Sequence, residues 1–228
     1  MIDVDIPQFT SDGIKFGVYC FDFTYSLQSS STHTSISSSF DATGLENYLN
    51  FGKQEPTVSS TVIRNRTELN SIPLDVEDLW ISRFDASDMY ELSPSRFQSL
   101  KTLVIGNRQF WSVNRLELKN QNSLQILYIG NGCFGKVRVF DLDGLSELES
   151  VVIGQESFRI SSSERSDGSY RIVNCPKLKS IQIGGWSFSY YHSFELNNLP
   201  SLQSIDIGHY CFEYAASFSL TGLIDGLI

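Results

Sequence analysis

Glycine recurs after isoleucine at Gly106, Gly130, Gly154, Gly184 and Gly208, at spacings of 24, 24, 30 and 24 residues. Four residues after each of these anchors stands a phenylalanine: Phe110, Phe134, Phe158, Phe188 and Phe212. Ahead of the anchors run two aliphatic series, Leu100, Leu124, Leu148, Leu178, Leu202 and Leu103, Leu127, Val151, Ile181, Ile205. Ten and twelve residues after an anchor come further apolar pairs: Leu116 and Leu118, Phe140 and Leu142, Phe194 and Leu196, Phe218 and Leu220. A fixed period of this length is the signature of a repeat architecture, in which no unit buries its apolar face alone.

Each unit contains two short alternating segments, L-x-x-[LIV]-x-I and [FL]-x-L. Alternation over a few residues marks a strand with one buried face. Two strands and two turns fill 24 residues and leave no room for a helix of ordinary length. The expected fold is therefore an all-β repeat solenoid: a right-handed coil of about eight 24-residue turns, each with two short strands, and few or no helices. Coils stack at about 4.8 Å, so like side chains form ladders through the core. The anchor glycine turns the chain, through a positive φ or a close backbone approach. Asn120, Gly144, Asn174, Asn198 and Gly222 share a second corner, where the left-handed region suits Asn and Gly.

The whole chain, 1–228, reads as a single solenoid. Residues 99–228 are regular, with one six-residue insertion near 160–169 whose polar, glycine-containing composition belongs in a surface loop. Residues 1–98 are irregular and carry a Ser-rich insertion over 27–39. The repeat frame extends backwards through anchors at Ser82, Gly52 and Gly17. "FGVYCF" at 16–21 has the skeleton of "IGHYCF" at 207–212, and "SFDATGL" at 39–45 that of "SFSLTGL" at 217–223.

A 24-residue unit of the form L-x-x-[LIV]-x-I-G-x-x-x-F, continuing as "CPKLKSIQI" or "NLPSLQSIDI", resembles the leucine-rich repeat, and most closely its BspA-like subfamily of bacteria and protists. The resemblance covers nearly the whole chain and is strongest from Leu100 to Leu223. It implies a leucine-rich-repeat solenoid acting in protein or surface recognition. The family's asparagine ladder is missing from its usual place, which holds Arg108, Gly132, Glu156, Trp186 and Tyr210, and a second strand replaces the usual helix. Both departures favour a flatter coil.

The formal net charge is −9 and the pI about 4.8, which argues against nucleic acid or an anionic membrane surface as partner. No apolar run approaches the roughly 18 residues of a membrane span. The start of the chain lacks the basic and apolar regions of a secretory signal, so the expected location is cytoplasmic. Cys20, Cys133 and Cys211 share one repeat position with Ser157 and Ser187, and Cys175 fills an apolar corner slot. They read as buried thiols in a reducing compartment, with no metal-ligand spacing. His33, His192 and His209 fall at unrelated repeat positions. No cofactor is expected, and the chain reads as a non-enzyme.

The outward positions of the first strand carry an apolar group in the middle coils: Val104, Ile126, Tyr128 and Val152. Such groups mark interfaces. A second cluster, Trp186, Tyr190 and Tyr191, lies in a turn where aromatic anchors could seat a partner. The expected function is a noncatalytic scaffold for protein–protein interaction or surface recognition. The alternative is a carbohydrate-binding or polysaccharide-acting β-helix, using the outward residues Glu117, Asp141, Arg171 and Glu195 of the second strand. The chain stops partway into a further coil, at "TGLIDGLI", which suggests end-to-end self-association through an uncapped C-terminal coil.

Overall fold

A computed structural model of the chain describes residues 14–16, 60–85, 89–164 and 168–223. The elements in order are β1 (Ile14–Phe16), β2 (Ser60–Asn65), α1 (Arg66–Ser71), β3 (Asp78–Asp85), β4 (Glu91–Leu92), β5 (Thr102–Ile105), β6 (Arg115–Leu116), β7 (Ile126–Ile129), β8 (Val139–Asp143), β9 (Ser150–Ile153), β10 (Ser169–Val173), β11 (Ser180–Ile183), β12 (Ser193–Leu199), β13 (Ser204–Ile207) and β14 (Ser217–Leu223). An eight-stranded sheet runs β1-β13-β11-β9-β7-β5-β3-β2, and a four-stranded sheet runs β14-β12-β10-β8. β4 and β6 form a separate pair. The described pairings are all parallel. The molecule is thus a β-solenoid, and six coils, from β3/β4 to β13/β14, show both strands.

The ladders read from the sequence are the core. Leu103, Leu127, Val151, Ile181 and Ile205 stand opposite one another in register and are 0–2% exposed. The phenylalanines form a column with ring centroids 5.6, 5.1, 4.8 and 5.2 Å apart, from Phe110 to Phe212. A second column, Phe140, Tyr170, Phe194 and Phe218, is stacked at 5.0–5.1 Å. The two columns meet edge to face, as in Phe194 against Phe212 at 74°. Both geometries suit the aromatic quadrupole, so the column spacing set by the coils costs nothing in ring packing. The six-residue insertion leaves the register intact: Ser169–Val173 pair residue for residue with Val139–Asp143.

The anchor glycines answer to crowding. A Cβ on Gly154 would lie 2.6 Å from the backbone of Asn131, and one on Gly208 would lie 2.4 Å from that of Gly185. Their φ angles are not positive; the left-handed residues come later in the corner. They are the second residue after the anchor (Arg108, Glu156, Trp186 and Tyr210, with Gly132) and the ladder phenylalanines themselves, φ 52–57°. The left-handed turn at Arg108 aims two successive N–H groups at the next coil. Arg108 N donates to the Asn131 carbonyl (2.6 Å) and Gln109 N to the Cys133 thiol (3.4 Å). The pattern repeats one coil on, where Gly132 N donates to the Gln155 carbonyl and Cys133 N to Ser157 Oγ (3.1 Å). Two converging N–H groups need two acceptors, and the backbone of the neighbouring corner supplies only one carbonyl. The Cys/Ser side chain is the second.

The two ends differ from the sequence expectation. The neighbour of β3 is β2, with Ile63 opposite Ile81, a strand the repeat frame did not anticipate. Gly52 and the 27–39 insertion lie outside the described residues. A short helix, α1, follows β2 where the repeat frame has a second strand, and Asn65 caps it. Its Oδ1 accepts from Glu68 N (2.8 Å), and its Nδ2 donates to Glu68 Oε1. At the other end β1 pairs with β13: Ile14 opposite Ile205, Lys15 opposite Asp206, Phe16 opposite Ile207. The edge of β13 that the sequence leaves uncapped therefore carries a strand from the N-terminal region.

Candidate binding faces

The outward rows of the eight-stranded sheet run across the strands as Thr102, Ile126, Ser150, Ser180, Ser204 and as Val104, Tyr128, Val152, Gln182, Asp206. Val104 and Ile126 are half-buried, as expected for a face that meets water. Tyr128 and Val152 are not: they are 8% and 1% exposed. Val152 is the shortest side chain between Tyr128 and Gln182, and neighbours one coil away at about 4.8 Å shelter it on both sides. Burial also pushes the Tyr128 phenol above its ordinary pKa. The apolar group is real, but only its Val104–Ile126 part is open.

The outward face of the four-stranded sheet holds a groove of about 340 Å³. Arg171 lies at its centre. Its Nη1 reaches Asp141 Oδ1 and Asp143 Oδ2, each at 2.9 Å, and its Nε lies 3.4 Å from Glu195 Oε2. The Asn174 amide and the Arg171 guanidinium together hold the Asp143 carboxyl below its ordinary pKa. Ser169, Ser193 and Ser217 form a hydroxyl row alongside, in register across β10, β12 and β14. Register brings Asp141, Arg171 and Glu195 into one row, and parallel pairing made that outcome legible from the repeat frame.

The corner aromatics divide. Trp186 stacks on Tyr210 at 4.0 Å, and the Arg159 guanidinium lies over its other face at 5.2 Å. Tyr190 stacks on Tyr214 at 5.0 Å. These rings are partly exposed. Tyr191 is not a surface residue: it is 0% exposed, meets Phe188 edge to face, and donates its hydroxyl to the Val137 carbonyl at 2.6 Å. Gly168 in the coil below makes this possible, since a Cβ there would lie 2.8 Å from the Tyr191 backbone. Val113, Val137, Tyr191 and Ala215 share one repeat position, all inward. That apolar series was visible in the sequence and corrects the assignment of Tyr191. Trp111, which the sequence reading passed over, is 51% exposed and lies across Gly135, where a Cβ would touch its ring at 2.6 Å.

Cys133, Cys175 and Cys211 are fully buried thiols. Cys133 donates to the Gly106 carbonyl and Cys211 to that of Gly184, as Ser157 and Ser187 do to Gly130 and Gly154. Burial pushes the Cys133 and Cys175 thiols up to about 11, so neither is a nucleophile near neutral pH. Among the described residues no three His, Cys, Asp or Glu side chains could together hold a metal ion, and no helix is long and apolar enough to cross a membrane. No family model, curated protein or solved structure matches the chain.

Proposed function

We propose that the chain is a noncatalytic scaffold that binds a protein partner through the outward face of the eight-stranded sheet. One observation carries the reading: the buried ladders barely change from coil to coil, while the outward pairs turn from apolar to polar. They pass from Thr102/Val104 and Ile126/Tyr128 in the middle coils to Ser180/Gln182 and Ser204/Asp206 near the end. Packing explains the constant rows, and β-propensity favours Val and Ile but not the shift to Gln and Asp. The resemblance to BspA-like leucine-rich repeats supports the same reading, and the buried thiols fit a cytoplasmic setting.

The test compares two faces. Affinity capture with mass spectrometry on V104E/I126E should lose a protein that wild type and V139E both retain, with all three melting alike. Retention by V104E/I126E, or loss with V139E, moves the site off this face.

A second reading rests on the groove around Arg171. Its hydroxyl row and ion-paired carboxylates suit the hydroxyls of a carbohydrate, through either binding or hydrolysis. Glycan-array binding or reducing-end release that disappears in R171A would support it over the first.

A further inference from the structure

We infer that the corner following the anchors Gly106 and Gly130 is a binding site for a nucleoside phosphate: the base stacks on Trp111, and the phosphate meets Arg108 and Lys136. This inference is independent of the readings above, because the corner belongs to neither outward sheet face. It starts from a clearing in the repeat. The second and fifth residues after the anchor are Arg108 and Trp111 in one coil, and both are glycine, Gly132 and Gly135, in the next. No other regular coil has glycine at both places. The side chains of the first coil lie across the bare backbone of the second. A Cβ on Gly132 would lie 3.5 Å from Arg108 Cγ. A Cβ on Gly135 would lie 2.6 Å from Cδ2, Cε2 and Cζ2 of Trp111 alike. A point equidistant from three successive atoms of a six-membered ring lies on the axis through its centre. The indole therefore rests face-down on Gly135 and turns its other face outward, and Trp111 is 51% exposed. Trp186 offers no such platform, since Tyr210 and Arg159 cover its two faces.

Two cations belong to the same corner. Arg108 and Lys136, the residue after Gly135, are exposed, and among the described residues neither has a carboxylate partner. An open ring face seats any flat base by stacking, and unpaired cations call for an anion. A neutral sugar would use the ring and leave the cations unanswered. Inorganic phosphate would use the cations and leave the ring bare. A nucleoside phosphate answers both. The net charge of −9 opposes a polyanion, but a single phosphate responds to the charges within a Debye length of about 8 Å.

The experiment titrates the full chain with AMP, adenosine, inorganic phosphate, glucuronate and oligothymidylate. Tryptophan fluorescence reports stacking, and ligand-observed NMR gives the affinities. AMP should quench the fluorescence, and inorganic phosphate should not. Trp111→Ala should abolish the quenching and weaken AMP at least about fivefold. R108A/K136A should weaken AMP by about tenfold or more and leave adenosine unchanged. Gly135→Ala keeps the ring and both cations but pushes the ring off its seat, and should also weaken AMP. Quenching that survives Trp111→Ala would put the base at another tryptophan and overturn the site. Equal affinities for AMP and adenosine would overturn the role of the cations, and glucuronate tighter than AMP would make the platform a sugar site instead. Oligothymidylate binding far more tightly than AMP would overturn the choice of a free nucleotide over a strand. No binding by any of these probes would overturn the inference outright.

Discussion

Both corners of the coil place a residue in the left-handed region and send its N–H to the next coil, yet they hold that conformation by different means. At the second corner the residue itself is suited to it: Asn120, Gly144, Asn174, Asn198 and Gly222 have φ between 53° and 71°. At the first corner the same conformation falls on Arg108, Glu156, Trp186 and Tyr210 and on five phenylalanines. Each such residue costs about 1–2 kcal/mol. There the surroundings impose it. The stacked rings fix the phenylalanines, and paired inter-coil hydrogen bonds fix the residue two places earlier. A conformation chosen by residue type can be read from the sequence, whereas one imposed by neighbours cannot.

The sharpest way to break the first corner is to remove a ring. Phe188 is fully buried, stacks on Phe158 and Phe212, and meets Phe140, Tyr170 and Tyr191 edge on. Phe188→Ala should cost about 3–5 kcal/mol in urea or thermal unfolding. An effect below about 1 kcal/mol would mean that the column is not what holds the corner.

Next comes the side chain that accepts the second N–H. Ser187 Oγ accepts from Ser157 N at 3.1 Å and donates to the Gly154 carbonyl at 2.7 Å. Ser187→Ala orphans both buried backbone groups and should cost about 1–3 kcal/mol. Ser187→Cys should recover most of the loss, because Cys133 and Cys211 hold the same place. If Cys is no better than Ala, the hydrogen-bond account of this position is wrong.

Glycine separates the corners directly. Glu156 is exposed with φ 56°, and Glu156→Gly should stabilise by about 1 kcal/mol. Asn120→Ala, at the second corner, should destabilise by a similar amount. Equal signs in chemical denaturation would remove the distinction between the corners.

Tyr170 and Tyr191 give a smaller contrast within the core. Both phenols are fully buried and raised in pKa by that burial. Tyr191 has the Val137 carbonyl as partner, and the Tyr170 hydroxyl has none. Removing the hydroxyl as Tyr→Phe should cost about 1 kcal/mol at 191 and be neutral or favourable at 170.

The smallest effect is electrostatic. Asp143 is held below its ordinary pKa first by Asn174 and then by Arg171. The contribution is therefore present above the ordinary carboxylate range and lost as pH falls through the lowered value. Asp143→Asn should flatten the acid limb of the stability profile slightly, since the pair is exposed.

The sequence carried the period and the inward ladders, because every coil buries the same positions against the same neighbours. It carried the second corner, because Asn and Gly announce a left-handed residue. It also held the inward series that contains Tyr191, although one large ring standing beside Gly168 looks like a surface aromatic when its coil is read alone. It also left Val152 exposed, because a single strand does not show what its neighbours cover. The placing of β1 was beyond it altogether. A repeat fixes the phase of a strand, and Ile14–Phe16 has the phase of Ile205–Ile207. It does not fix the order of stacking, since every coil offers the next the same edge, and only the assembled structure decides which one the first strand meets.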